Sequence, residues 1–282
     1  MGANVYQMVT DRIIDQLQKG IIPWQKPWNG VASGAYNRVS KRPYSLINQL
    51  MLKHDGECAS YKQWEELGGQ VRKGEKSEIV VFWKLMEKEE ADENGEMKKK
   101  TIPLLRYYNV FHISQVDGVE PLTKEELSSD IEPIEKGEDV FKGYINREGI
   151  KFEQTASDEA YYSPAKDLIH LPLLEQFKDA AEYYSTAFHE ATHSTLKENR
   201  CNRPQIMAFF GSDNYSKEEL VAEIGSATLM NICGIETDRT VTNNVAYIQN
   251  WLKVLENDNK FIVSASSKAE KAVKYILGEE VA

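Results

Sequence analysis

The tightest constraint on the fold is one short run, Phe188-His189-Glu190-Ala191-Thr192-His193, inside a stretch from Ala181 to Leu196 that holds neither Gly nor Pro. Residues four apart share one face of a helix. The spacing therefore predicts a helix over about 178–196, with Ala181, Tyr184, Phe188 and Ala191 on its buried face. On the opposite face His189 and His193 offer two imidazoles to one metal ion. Glu190 then stands beside the ion, where a general base for an activated water belongs.

A third ligand is sought on the next apolar segment. Ser216 is the expected cap of a helix over 217–233, closed by Gly234, and Glu219 completes a capping box three residues after it. Glu223 follows among Leu220, Val221, Ala222 and Ile224. A carboxylate in so apolar a stretch is costly unless it is paired or bound to metal. His189, His193 and Glu223 with one water would make the open site of a catalytic zinc, although such a donor set also accepts manganese or cobalt. A plain salt bridge from Glu223 to Arg200 or Arg203 is the competing use of that side chain.

Charge divides the chain. Residues 1–85 carry 12 Lys+Arg against 8 Asp+Glu, residues 86–125 carry 6 against 9, and residues 126–282 carry 16 against 27, which together give the net −10. A basic front on an acidic chain points to different partners for the two halves. No apolar run approaches 18 residues, so no membrane partner is expected. Cys58, Cys201 and Cys233 are far apart and form no Cys-x-x-Cys, which fits a cytoplasmic protein without a disulfide framework.

The front half reads as an amphipathic helix over 5–19 and then two Pro-Trp steps, Pro23-Trp24 and Pro27-Trp28. The segment Tyr36-Asn37-Arg38-Val39-Ser40-Lys41-Arg42-Pro43-Tyr44 interleaves rings with cations. Rings stack on bases and cations track phosphates in single-stranded nucleic acid. The candidate contacts are Trp24, Lys26, Trp28, Tyr36, Arg38, Lys41, Arg42 and Tyr44, with Arg72, Lys73 and Lys76 from a basic turn. Core burial of the two Trp rings is the alternative. Short helices are expected over 46–52 and 61–67. A strand over 79–85 and its return over 102–113 flank Asn94-Gly95, the signature of a long β-hairpin with a solvated, charged tip.

From Pro121 to about Asp139 the chain is polar and acidic, as a linker would be. The rear half restarts with a strand over 150–154 and a hairpin over 160–172, whose His170 lies just before the helix carrying His189. Helices over 243–257 and 266–277 close the chain.

Two blocks of sequence resemble the ArdC-type antirestriction proteins of conjugative elements. The front block runs through Gly20-Ile21-Ile22-Pro23-Trp24-Gln25-Lys26-Pro27-Trp28, Gly68-Gly69-Gln70-Val71-Arg72-Lys73-Gly74-Glu75-Lys76 and Tyr107-Tyr108-Asn109-Val110-Phe111. The rear block joins the His189 motif to Glu218-Glu219-Leu220-Val221-Ala222-Glu223-Ile224-Gly225 and Ala246-Tyr247-Ile248-Gln249-Asn250-Trp251-Leu252. The resemblance implies an α+β protein of two domains. An N-terminal α/β single-stranded-DNA-binding domain with a long β-hairpin (1–122) is joined by a linker (123–140) to a mainly helical, zincin-like metallopeptidase domain (141–282). It also implies protection of transferred DNA from host restriction. His189, His193 and Glu223 become zinc ligands and Glu190 the base of a gluzincin-like site acting on a host protein or peptide. Two other readings use the same residues: a DNA-binding protein with an idle metal domain, or a plain intracellular metallopeptidase.

Overall fold

The computed structural model describes residues 4–25, 34–91, 97–122, 133–177, 179–203, 213–235 and 244–280. The expected linker therefore lies largely outside the described residues, and its last turns from Pro133 are helical.

The fold is α+β. Helix α1, Val5–Gln18, is capped by the Asn4 side chain and ends before Gly20, whose φ of +75° suits a residue without a Cβ. It buries Val9, Ile13 and Leu17 along one stripe. Four strands follow: β1 (Tyr36–Asn37), β2 (Glu57–Ala59), β4 (Glu78–Ala91) and β5 (Met97–His112), in the spatial order β1-β2-β5-β4. The last two form the long antiparallel ribbon that Asn94-Gly95 predicts, paired from Glu78 opposite Val110 to Ala91 opposite Met97. Helix α2, Leu46–Met51, pins that ribbon. The Asn48 side chain donates to Val81 O at 2.8 Å and accepts from Val81 N at 2.7 Å. This satisfies backbone groups at the edge of β4 that would otherwise be open to another strand. Helix α3, Tyr61–Glu66, starts in a Ser60–Gln63 capping box and buries Trp64, whose indole donates to Phe111 O. A two-stranded sheet of β3 (Gln70–Val71) and β6 (Val116–Asp117) completes the front half.

In the rear half α4 (Pro133–Glu148) precedes a three-stranded sheet. There β9 (Leu168–Pro172) is central, parallel to β7 (Lys151–Thr155) and antiparallel to β8 (Tyr161–Ser163). Helices α5 (Ala180–Ser194), α6 (Asp213–Cys233), α7 (Asn244–Asn257) and α8 (Phe261–Leu277) follow. Two starts differ from expectation. Helix α8 begins a turn early because Phe261, Ile262 and Val263 are buried in the core. Helix α6 begins at Asp213, so Ser216 lies within it and Glu219 has no capping duty.

The largest core belongs to both halves. Val9, Ile13, Leu17, Trp24 and Leu50 meet Leu220, Ile224, Trp251, Leu255 and Ile262. A second core joins α4, α5, the three-stranded sheet and the ends of α6 and α8 through Phe141, Ile169, Phe188 and Val273. Helix α6 has one end in each core.

Candidate metal centre and nucleic-acid surface

Helix α5 carries His189, Glu190 and His193 on one turn. Asp179 caps it by accepting from Glu182 N at 2.8 Å. Its inward face, Tyr184, Phe188, Ala191 and Thr192, is buried, which directs the histidines toward α6. Gly225 sets the distance between the two helices. A Cβ there would lie 2.7 Å from both Cγ2 and Oγ1 of Thr192, so only glycine allows this approach. Ser226 fastens the contact by donating to Ser185 O at 2.7 Å.

This close crossing brings Glu219 across from both imidazoles. His189 Nε2 and His193 Nε2 are 3.1 Å apart. The Glu219 carboxylate lies 3.4 Å from each of them, one oxygen per ring. A tetrahedral ion at about 2.0–2.1 Å from its ligands separates neighbouring donor atoms by about 3.4 Å. The three donors therefore fit the edges of such a site. They also form a group of potential ligand atoms within 4.8 Å of one another.

The second nitrogen of each ring faces another carboxylate. His189 Nδ1 lies 3.7 Å from Glu223, and His193 Nδ1 lies 3.5 Å from Glu218. Among the described residues it is thus Glu219, and not the expected Glu223, that faces both Nε2 atoms. At one residue per 100° of turn, Glu219 faces the side where the Nε2 atoms converge. Glu223, one turn further along, meets the back of His189. The expected alternative partners of Glu223 are engaged with other groups. Arg203 makes a forked pair with Glu218 and donates to Thr195 Oγ1 and Thr192 O. Arg200, with no side-chain exposure, clamps Asp167 and donates to Ser194 O.

Electrostatics agree with a cation site. Burial works against charge on His193, but its hydrogen bonds to the Glu218 and Glu219 carboxylates raise its pKa to about 10. Burial opposes charge on Glu219 as well, yet His189 and His193 hold it far below the usual carboxylate range. A positive charge is thus favoured among these groups. Glu190 is 8% exposed and adds its charge to those around His193. His170 does not join them. It is held by Thr155 Oγ1 and Glu159 O and stacks on Tyr161, a structural role in the sheet.

A family model for the N-terminal domain of the anti-restriction factor ArdC matches residues 3–111, and a zincin-like metallopeptidase model matches residues 140–268. The metal-free crystal structure of the antirestriction ArdC protein from plasmid R388 is 34% identical, with a TM-score of 0.75, covering 99% of this chain and 100% of that one. The chain belongs to the ArdC family of antirestriction proteins. The Mn(II)-bound structure of the R388 protein is similar at 33% identity and a TM-score of 0.76, covering 98% of each chain. Among curated ArdC relatives, the uncharacterized protein y4eC of Sinorhizobium fredii (strain NBRC 101917 / NGR234) is 30% identical over 98% of this chain and 92% of its own length. Two DNA primases TraC of Escherichia coli are each 34% identical over 98% of this chain, which spans only 27% and 20% of their lengths.

The ArdC N-terminal domain makes DNA the partner to examine on the front half, and burial revises its expected contacts. Trp24 is 1% exposed and packs edge-on against Trp251 at 5.0 Å. Its ring fills the core and presents no face to a base. Arg38 is largely buried in an ion pair with Glu57, which Tyr36 also approaches. Tyr44 is half-buried beside Tyr108, with its hydroxyl accepting from Asn37. Arg72 is tied to Glu75 and Asp117. Lys41, Arg42, Lys73 and Lys76 are exposed. Lys26 and Trp28 lie outside the described residues. Other rings reach solvent, Tyr61 on α3 at 54% exposure and three on the ribbon that the sequence pattern did not single out. Phe82, Trp83 and Tyr107 on the ribbon are 42%, 49% and 40% exposed. The signal was present: a strand alternates faces, so a run as aromatic as 79–85 must turn rings outward unless both faces are covered.

Proposed function

We propose that this ArdC-family protein binds single-stranded DNA and carries a divalent-metal centre of metallopeptidase type, and that it protects transferred DNA from host restriction. One observation carries the metal half: three donor atoms 3.1–3.4 Å apart on two helices, beside Glu190. His189, His193 and Glu219 would hold the cation, zinc being the first candidate and manganese or cobalt also compatible with the donors. Bound there, a cation supplies Lewis-acid polarisation of a carbonyl and of water.

The chain's own residues do the rest. Glu190 accepts a proton on its carboxylate and returns it to the leaving amine. Glu223 and Glu218 stand 3.7 and 3.5 Å behind the Nδ1 atoms of His189 and His193, where their charge favours the Nδ1–H tautomers that leave both Nε2 atoms free for the site. Arg203 holds Glu218 in place and so orients His193 indirectly. The substrate is a peptide or host protein, and the DNA-binding half brings the centre to where restriction occurs.

Two measurements test this. Elemental analysis should find one equivalent of metal in the wild type and little in His193→Ala; equal metal in both sinks the site. A transfer assay into a restricting host should show that Glu190→Ala keeps its metal and loses protection. Full protection by that variant would leave a DNA-binding protein whose metal centre does no chemistry in this pathway.

A further inference from the structure

Among the described residues nothing packs over one face of the β4–β5 ribbon beyond its root. Strand alternation puts Val80, Phe82 and Lys84 on one side with their partners Tyr108, Arg106 and Leu104. At the root, Val80 is fully buried in a small core with Tyr44 and Tyr108 around it. Above it the face opens. Phe82 and Arg106 stand directly opposite one another, and both are exposed. Phe82 meets Tyr108 edge-on at 5.7 Å, so the two rings present non-parallel surfaces along the strand. Lys84 is the next exposed position outward. Among the described residues neither Lys84 nor Arg106 has a carboxylate within ion-pair distance.

We propose that this face of the ribbon is the single-stranded-DNA surface of the protein, with Phe82 and Tyr108 as base platforms and Lys84 and Arg106 as phosphate contacts. The proposal rests on the DNA-binding reading above and gives it a location. A protein strand would dock by backbone pairing at an edge and has no use for exposed cations on a face. A single strand of nucleic acid uses both features, because every base has a stacking face and every linkage a charge.

The test is fluorescence anisotropy of a labelled oligothymidylate of about 20 nucleotides with the full chain, across a salt series. Phe82→Ala should weaken binding about 5- to 150-fold. Arg106→Ala and Lys84→Ala should each lower the salt slope by about 0.7. Lys62→Ala, on exposed α3, should change neither. Lys84 is exposed, so its variant reports on the face even if Phe82→Ala misfolds. Wild-type binding that all three ribbon variants retain overturns the proposal and leaves the DNA-binding reading intact. No binding by the wild type removes both. Ribbon variants that only disperse a wild-type dimer, with unchanged DNA affinity, make the face a contact between copies and overturn the proposal as well.

Discussion

Replacing Glu219 and Glu223 separately by Ala decides which carboxylate is the third ligand. Structural zinc sites hold their ion with about 10–16 kcal/mol over four ligands, or about 2.5–4 kcal/mol per donor. Glu219 touches the point where both Nε2 atoms converge, with 3.4 Å to each. Its loss should therefore weaken metal binding by about two to three orders of magnitude. Glu223 lies 3.7 Å from His189 Nδ1, longer than a good hydrogen bond. A carboxylate behind a ligating His is worth 10- to 100-fold in affinity, and this distance favours the lower end, about 10-fold or 1.4 kcal/mol. The assay is competition against a chromophoric chelator, with zinc and with manganese, on variants whose melting temperatures match the wild type. A greater loss from Glu223→Ala than from Glu219→Ala refutes the assignment. Equal losses would mean that both carboxylates reach the ion, which the placement of Glu223 behind the ring does not allow.

Gly225→Ala should destabilise the protein by about 1–3 kcal/mol in denaturant melts, because the new methyl meets Thr192; Thr192→Ala in the same chain should recover part of that loss. Trp24→Ala should cost about 3–5 kcal/mol of stability, as a large fully buried side chain does, while oligonucleotide affinity of the folded fraction stays at the wild-type level. Burial works against charge on Asp167, yet Arg200, Lys197 and Tyr162 hold its pKa below the usual carboxylate range. A depressed carboxylate contributes stability above its unfolded pKa and loses it as pH falls through the folded one. The melting temperature should therefore drop below about pH 4, and Asp167→Asn should flatten that acid limb while costing about 2 kcal/mol at pH 7.

The sequence showed most where local rules act alone. His189 and His193 need only a helical spacing, and the run without Gly or Pro supplied it. Asn94-Gly95 between β-rich runs gave the ribbon, since turn chemistry is local. The third ligand depended on where α6 begins. Ser216 followed by Glu219 is a sound capping signal, but the helix extends past it to Asp213, and the capping duty assigned to Glu219 vanished with it. Only the angle at which α5 and α6 cross, set by Gly225 against Thr192, decides which of two carboxylates four apart meets the Nε2 atoms. Trp24 was ambiguous for a different reason. Its fate depends on Trp251, 227 positions away in the chain, and no local pattern reports that contact.

The core shared by Trp24, Leu220, Ile224 and Trp251 has a mechanical consequence. Helix α6 presents Glu219 to the histidines from one side and leans on Trp24 and α7 from the other. The two halves therefore melt as one unit, and a cut between them leaves each with half an apolar interior in water. On the proposed function, a front half that moved on binding DNA would move the wall on which Glu219 stands, and any factor by which DNA changed metal affinity would equal the factor by which metal changed DNA affinity.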